Sequence, residues 1–285
     1  MLQKYRGHIL VTGLVALLFL LSGCGTFGLA NGSTTPTQTL QNSAKAMSEL
    51  KSVHFDLQAL LDLQSASSSN GAANGLSFNV TGHGDAAMPD QVSANFSLGQ
   101  NPVLNVITTG GKIYVQGQNG KWFVMDQSQV TDGAQKIFSQ DLSKQLAVIM
   151  AQLQNAKLTD HGQEIVKGES LDHITATLDA TTLQSLTVQF NGLLPAAQQS
   201  TQNQISQATL DLWIDQSTWY VHQAALNVGV RVDLSKVPNL NFNGQKVDMP
   251  SGVVPITLKG QLNFSKFNQP MNIQAPARAE PFTQQ

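Results

Sequence analysis

Apolar side chains at every second position are the feature that most limits the folds open to this chain. Between residues 53 and 63 the apolar positions alternate with polar ones such as Asp56 and Gln58. The same period returns at residues 76–80, 92–98, 104–108, 174–178, 210–214, 226–234 and 256–264. A period of two puts the apolar side chains on one face of a strand, which is typical of antiparallel sheets with one face in water. The pattern predicts about ten strands in one large antiparallel sheet.

Two tight turns are predicted between these strands. Asn119-Gly120 lies in the middle of residues 112–126, where two strand-like runs flank residues that tolerate positive φ, so a hairpin is expected. Residues 215–218, Asp-Gln-Ser-Thr, also have turn chemistry. Asp215 could be taken for a catalytic acid. At a strand end, however, Asp ordinarily starts a turn by accepting backbone N–H groups, and this is the role we expect.

Three helices are predicted among the strands. The first contains Leu40, Ala44, Met47 and Leu50 at helical spacing, with Thr37 or Thr39 as a candidate N-cap. The second follows Asp132, with one apolar stripe formed by Phe138, Leu142, Leu146, Ile149 and Leu153. The third, at residues 182–198, is weaker and has no clear capping residue. Helices and groups of strands in this order favour an α+β fold, with the helices on the apolar side of the sheet.

The N-terminus has the layout of an export signal. Lys4 and Arg6 precede an uncharged apolar run of roughly thirteen residues, too short for an ordinary membrane-spanning helix. The run ends at Leu21-Ser22-Gly23-Cys24, which resembles a bacterial lipobox. That resemblance implies cleavage before Cys24 and diacylglycerol on its sulfur. A plain signal peptide with an incidental cysteine is the alternative. A catalytic thiol is disfavoured, because no neighbouring residue would lower the pKa of the thiol.

The chain then divides into four predicted parts. Residues 1–23 are the signal peptide, 24–38 an acylated cysteine with a flexible tether, 39–276 the folded domain and 277–285 a polar tail. A tether of this length and composition has a root-mean-square reach of about 20 Å, so the domain would stay close to the membrane. Cys24 is the only cysteine, so the domain cannot be held together by disulfides and must rely on its core.

Several segments resemble the LppX/LprA/LprF/LprG lipoproteins. The similarity lies in the hairpin at 110–126, in the strand–Trp-Ile-Asp–turn–strand unit at 210–228, in the closing strand at 260–276 and in the opening helix and strand at 44–57. The resemblance covers nearly the whole chain, and the order and spacing of these segments make it specific. The chain departs from the family in lacking the extra cysteines of some members and in a Ser/Ala/Asn/Gly stretch at 65–75.

The resemblance implies a fold like that of LolA and LolB, a strongly curved half-barrel with helices on its concave apolar face. It also implies a non-enzymatic lipoprotein on the outer face of a bacterial cell membrane, which binds acyl chains of a lipid or lipoglycan and carries them in the envelope. The residues expected to line an apolar cavity are Phe55, Leu57, Phe78, Val80, Phe96, Val106, Leu146, Ile149, Leu212 and Ile214. Periodicity alone favours a solid core filled by these side chains, and it is the family resemblance that favours a cavity. An envelope sensor or accessory protein with a possible protein partner is therefore the alternative.

Other chemistries find little support in the sequence. There is no Gly-x-Ser-x-Gly or His-Glu-x-x-His motif, and the Gly-His-Gly-Asp stretch at 82–85 is followed by Met88-Pro89 where a dinucleotide loop would need a helix. Five histidines stand singly along the domain, so neither a metal site nor a cofactor is expected; they are His54, His83, His161, His173 and His222. The formal net charge of −2 and the scattered basic residues argue against nucleic acid as a partner.

Overall fold

The structure is a computed structural model, and it describes residues 34–63, 76–99, 101–117, 119–129, 152–154, 156–183, 205–233, 240–242, 245–247 and 253–282. Helix α1 spans Pro36–Ser48. The strands are β1 Ser52–Leu63, β2 Leu76–Ala87, β3 Gln91–Leu98, β4 Asn101–Thr109, β5 Lys112–Gln116, β6 Trp122–Asp126, β7 Lys157–Val166, β8 Glu169–Thr177, β9 Ile205–Ile214, β10 Val221–Asp233, β11 Leu240–Phe242, β12 Gln245–Val247, β13 Val253–Ser265 and β14 Glu280–Pro281.

Twelve of these strands form one open, curved sheet in the order β14-β6-β5-β4-β3-β2-β1-β13-β10-β9-β8-β7. All neighbours are antiparallel except the short β14, which runs parallel to β6. The two ends of the sheet, β14 and β7, are not paired with each other, so the sheet is a half-barrel. Strands β11 and β12 form a separate pair. The predicted α+β fold with one large curved antiparallel sheet is confirmed, and the strand count of about ten was too low.

Helix α1 covers one end of the apolar face of the sheet. Thr35 is its N-cap, and a capping box joins Thr35 to Gln38, with Pro36 in the first turn. The prediction of Thr37 or Thr39 as N-cap was therefore wrong, and helical structure begins inside the segment predicted as tether. The inward side of α1 buries Leu40 and Met47. The Met47 sulfur accepts a hydrogen bond of 2.8 Å from the Val221 backbone N–H, which fixes the helix against β10.

The other two predicted helices are described only in part. Most of the helix that follows Asp132 lies outside the described residues, but Leu153 near its end is helical and fully buried. The third begins at residue 180 and is capped by Asp179, whose carboxylate accepts a 2.7 Å hydrogen bond from the Thr182 N–H. That backbone hydrogen bond is the main cause of the lowered pKa of Asp179. The remainder of this helix lies outside the described residues.

Strand β6 is held by a tight turn to β5 on one edge and by the C-terminal strand β14 on the other. The hairpin predicted around Asn119-Gly120 is confirmed, with Gly120 at φ 77° and the Asn119 side chain accepting from the Lys121 N–H at 3.1 Å. The C-terminal segment predicted as a polar tail is in part structured. Glu280–Pro281 forms β14 beside β6, and Phe282 makes an edge-to-face contact with Phe123 at 6.5 Å.

Two glycines of β2 allow aromatic rings to pack flat against the middle of the sheet. A Cβ at Gly82 would overlap the Phe96 ring, and a Cβ at Gly84 would overlap both the Phe55 ring and the Ser93 carbonyl oxygen. Both rings are only 1% exposed. The Gly-His-Gly-Asp stretch is thus the interior of a strand, and its glycines serve packing.

We predict that Gly84→Ala lowers the free energy of unfolding by about 1–3 kcal/mol, because the added methyl group has to displace the Phe55 ring or the β3 backbone. Urea unfolding with linear extrapolation measures the change. Ser77→Thr is the matched control, since it adds a methyl group to the exposed side of the same strand and should change stability by less than about 0.5 kcal/mol. Equal effects of the two substitutions would contradict the packing role of Gly84.

Candidate functional site

The residues predicted to line an apolar site lie on one face of the sheet. Seven of them belong to the main buried cluster, each no more than 2% exposed: Phe55, Leu57, Val80, Phe96, Val106, Leu212 and Ile214. Phe78 is half-buried and belongs to a second, smaller cluster with Leu63 and Val254. Leu146, Ile149 and Cys24 lie outside the described residues. Where the structure describes them, the predicted residues therefore share the expected face.

Burial of this apolar face differs between its two ends. Beneath α1 the side chains of Val221, Leu212 and Phe55 are almost completely enclosed. At the opposite end of the strands, β1, β2 and β13 bring together half-buried side chains; they are Leu61, Phe78, Ile256 and Leu258. Among the described residues the two apolar clusters are separate, and these half-buried side chains lie where the two adjoin. We call this set the apolar rim.

Of the four residues of the apolar rim, only Phe78 was among those predicted to line an apolar cavity. Leu61, Ile256 and Leu258 were recognised as strand residues of the apolar face, but the period-two pattern gives every position on that face equal weight. Their partial exposure depends on what packs over the sheet, and periodicity carries no information on this. An apolar chain could contact the apolar rim through dispersion and burial alone, without any directed polar group.

The opposite face of the sheet, here called the outer face, brings together histidines that are far apart in sequence. A bulge between Asp160 and Gly162 turns His161 towards β8, and its ring stacks on that of His173 at 4.4 Å. His173 in turn stacks on Trp213 at 4.4 Å. Its two ring nitrogens lie 2.9 Å from a Glu164 oxygen and 3.1 Å from an Asp211 oxygen.

Two other histidines have the same kind of environment. His54 Nδ1 lies 2.7 Å from Asp85, and His222 Nδ1 lies 2.5 Å from Glu169. These histidines stand singly in the sequence, and the register of the strands pairs them with carboxylates. In the described part of the chain no group of three His, Cys, Asp or Glu side chains has the geometry of a metal site.

Glu164 links the ring stack to the edge of the sheet. Its second oxygen accepts a 2.9 Å hydrogen bond from the Trp213 indole N–H. This bond and the one from His173 lower the pKa of Glu164. A carboxylate stabilised in its charged form by fixed donors is a poor proton acceptor. Its bonds to His173 and Trp213 join β7 to β8 and β9.

Asp215 occupies the turn between β9 and β10, as predicted. Its carboxylate accepts from the Ser217 N–H at 2.6 Å, the Ser217 hydroxyl at 2.7 Å and the Thr218 N–H at 3.3 Å. Burial is the largest single influence and raises the pKa of Asp215, but the hydrogen bonds from Ser217 and Thr218 together with the nearby His222 outweigh it, so the pKa is lowered. Asp215 is a turn residue.

No helix among the described residues is both long enough and apolar enough to cross a membrane. The described part of the chain is a curved antiparallel half-barrel with a helix and a set of half-buried apolar side chains on one face. The profile of the LppX_LprAFG lipoproteins matches residues 35–239, and the chain belongs to this family of lipid-binding lipoproteins. Membership makes it an exported protein of the cell envelope.

Two solved structures illustrate the likeness. Lipoprotein LppX of Mycobacterium tuberculosis is 15% identical, with a TM-score of 0.43 over 84% of this chain and 97% of that chain. LprF of Mycobacterium bovis is 16% identical, with a TM-score of 0.47 over 87% of this chain and 100% of that chain. No curated protein sequence matches the chain.

We predict that Asp215→Ala lowers the free energy of unfolding at pH 7 by about 1 kcal/mol, because the turn loses its acceptor. The folded-state pKa lies below the ordinary value of 3.8, so the stabilisation by the carboxylate is complete above that value and is lost as the pH falls through the folded-state pKa. The difference between Asp215→Ala and the unsubstituted chain should therefore shrink in acid. Urea unfolding at several pH values measures it.

Asp126→Ala is the control for this series, because Asp126 is an exposed acid at the end of β6. We expect it to change stability little at any pH. A deficit of Asp215→Ala that stays constant down to pH values well below the ordinary pKa would contradict a role for the charged carboxylate.

Proposed function

We propose that this protein is a membrane-anchored, non-enzymatic lipoprotein that binds the acyl chains of a lipid or lipoglycan on the apolar face of its sheet and carries that lipid within the cell envelope. The observation that carries the proposal is the apolar rim, a set of half-buried aliphatic and aromatic side chains at one end of an otherwise enclosed apolar face. Family membership supports the same ligand class.

Burial of apolar surface supplies the affinity. Each buried methylene contributes about 0.8 kcal/mol, so an acyl chain of about fourteen methylenes would contribute on the order of 11 kcal/mol before the loss of its freedom on binding. Strands β1, β2 and β13 hold Leu61, Phe78 and Leu258 side by side in register, which provides a fixed apolar wall. No polar group has to be matched, so the wall can bind the acyl chains of lipids that differ in their headgroups.

The anchor supplies access to the ligand. Acylation of Cys24 would hold the chain on the outer face of the cell membrane, and two or three acyl chains bind a bilayer firmly where one does not. The segment from Cys24 to the start of α1 at Pro36 is short, which keeps the folded domain close to lipids in the same membrane. Export and the lipoprotein family agree with this arrangement.

Lipid mass spectrometry tests the proposal directly. The chain from Gly25 onwards retains every described residue and can be purified without its anchor. Extraction with organic solvent should release a bound lipid in near-stoichiometric amount, and a fluorescent fatty acid should compete with it. A protein that releases no lipid and does not bind the fluorescent fatty acid would overturn the proposal.

The second candidate, an envelope sensor or accessory lipoprotein with a filled core, is favoured by one specific observation. The rings of Phe55 and Phe96 fill the space above Gly84 and Gly82, so the middle of the apolar face is occupied by the protein itself. A stoichiometric protein partner recovered without lipid would support this candidate.

We predict that Leu61→Trp weakens binding of a fluorescent fatty acid about tenfold or more, because the indole would occupy the apolar rim. Leu60→Trp is the matched control: Leu60 is the preceding residue of β1 and faces the outer side of the sheet. It should leave the affinity within about twofold of the unsubstituted chain, which corresponds to less than ~0.5 kcal/mol. Equal loss in both variants would contradict binding at the apolar rim, and unfolding curves of both check that the fold is retained.

We predict that Cys24→Ser abolishes the incorporation of radiolabelled palmitate and moves the protein from the membrane fraction to the soluble fraction of the exporting cell. The hydroxyl of serine does not replace the thiol as the lipidation nucleophile, and without the acyl chains the affinity for the bilayer is lost. Thr26→Ala, two residues further on, should have no effect. Palmitate labelling that persists in Cys24→Ser would show that Cys24 is not the anchor.

A further inference from the structure

The outer face carries a second concave region that the apolar site does not use. The tip of the β7–β8 hairpin, at Lys167-Gly168, reaches across to β13, where Lys167 Nζ donates a 3.1 Å hydrogen bond to Asn263 Oδ1. Positive φ angles of 52° at Lys167 and 88° at Gly168 form the tight turn that places the lysine there. Between this tip and strands β1, β2 and β3 lies a cavity of about 340 Å³, which we call the outer groove.

The floor of the outer groove is an array of uncommitted polar side chains. Gln58, Thr81, His83, Asn95 and Ser97 line it, and none of these five side chains makes a hydrogen bond within the described part of the chain. Polar side chains nearby on the same face are paired, as in the His54–Asp85 contact and the 2.6 Å bond from Asn105 to Gln116. The five lie on three adjacent strands in the middle of the sheet, so their spacing is fixed by backbone pairing.

The donors and acceptors of the outer groove define the ligand chemistry. Amides and hydroxyls present both donor and acceptor atoms, which matches ligands whose hydroxyl groups donate and accept at once. The one lysine, Lys167, is balanced by the one acid, Asp56, so neither an anion nor a cation is selected. An adjoining cavity of about 230 Å³ shares Lys167 and Asp56 and adds apolar contact from the half-buried Phe267. A sugar ring combines a hydroxyl rim with apolar C–H faces.

We propose that the outer groove is a binding site for a neutral saccharide, separate from the apolar rim and on the opposite side of the sheet. Its cavity volume lies within the range of about 300–1,000 Å³ found for small-molecule sites. Since β1, β2 and β13 separate the two sites, one ligand cannot occupy both through the sheet. The saccharide is therefore a second ligand, and the proposal stands independently of acyl-chain binding.

Side-chain amide NMR tests this proposal. The full acylated chain, labelled with ¹⁵N at Asn and Gln, is held in a zwitterionic detergent, because sugar-based detergents would compete for the site. Maltotriose, mannotriose and triacetylchitotriose are each titrated to about 10 mM, which saturates most of a site with a Kd of about 1 mM. We expect at least one trisaccharide to shift the resonances of Gln58, Asn95 and Asn263 and to leave that of the exposed Gln207 in place.

Two substitutions with matched controls locate the binding. Asn95→Ala and Lys167→Ala should each weaken the trisaccharide about tenfold, as expected for loss of one hydrogen-bonding partner. Gln207→Ala and Lys259→Ala, on the same face and outside the groove, should leave the affinity within about twofold. All four are surface positions, and unfolding curves verify their folds.

Three results would overturn the proposal. The first is the absence of any shift with all three trisaccharides at the highest concentration. The second is a shift that is equally large at Gln207 and is unaffected by Asn95→Ala. The third is a response to inorganic phosphate with none to the neutral sugars, which would show that Lys167 makes the site selective for anions.

Discussion

Pairing of β1 on both of its edges is the constraint on which the rest of the structure depends. β1 pairs with β2 along its full length and with β13 from His54 to Leu63. Because side chains alternate, a slip of one residue in either pairing would turn Phe55 and Leu57 towards water and bring Asp56 into the core. The register of this central strand therefore assigns every neighbouring strand its apolar face and its outer face.

The sequence predicts those strands well because alternation is a local property. It fails where a strand is held by its neighbours alone. Only residues 164–166 of β7 are predicted as strand, because β7 is exposed along almost its whole length, with an exposed Ile165. β14 is a Glu-Pro pair whose place beside β6 depends on the backbone of β6. The start of α1 was missed for a different reason. Threonines occur at positions 34, 35, 37 and 39, and any of them could serve as N-cap by residue type. Pro36 favours the first turn of the helix, which makes Thr35 the N-cap.

Sites were harder to predict than strands, since side-chain clusters depend on long-range register. His173 and Asp211 are distant in sequence, yet adjacent strands set them 3.1 Å apart. In the same way the five unpaired polar side chains of the outer groove come from three strands and give no motif in any one of them. For the apolar site, periodicity identified the correct face in every described member. It could not rank those members by exposure, because exposure depends on α1 and the other segments that cover the sheet.

Glycine and aromatic residues together determine how deep an apolar ligand can reach. Gly82 and Gly84 remove two side chains from β2, and the rings of Phe96 and Phe55 occupy the space that is left. This makes the centre of the apolar face solid, while Leu61, Phe78 and Ile256 further along the same strands stay half-exposed. Apolar surface in contact with water is unfavourable by about 25 cal/mol per Å², and the exposed fraction of these side chains carries that penalty. Under the proposed function, an acyl chain would reverse that penalty at the apolar rim and gain nothing at the aromatic centre, so it would bind at the end of the sheet remote from α1.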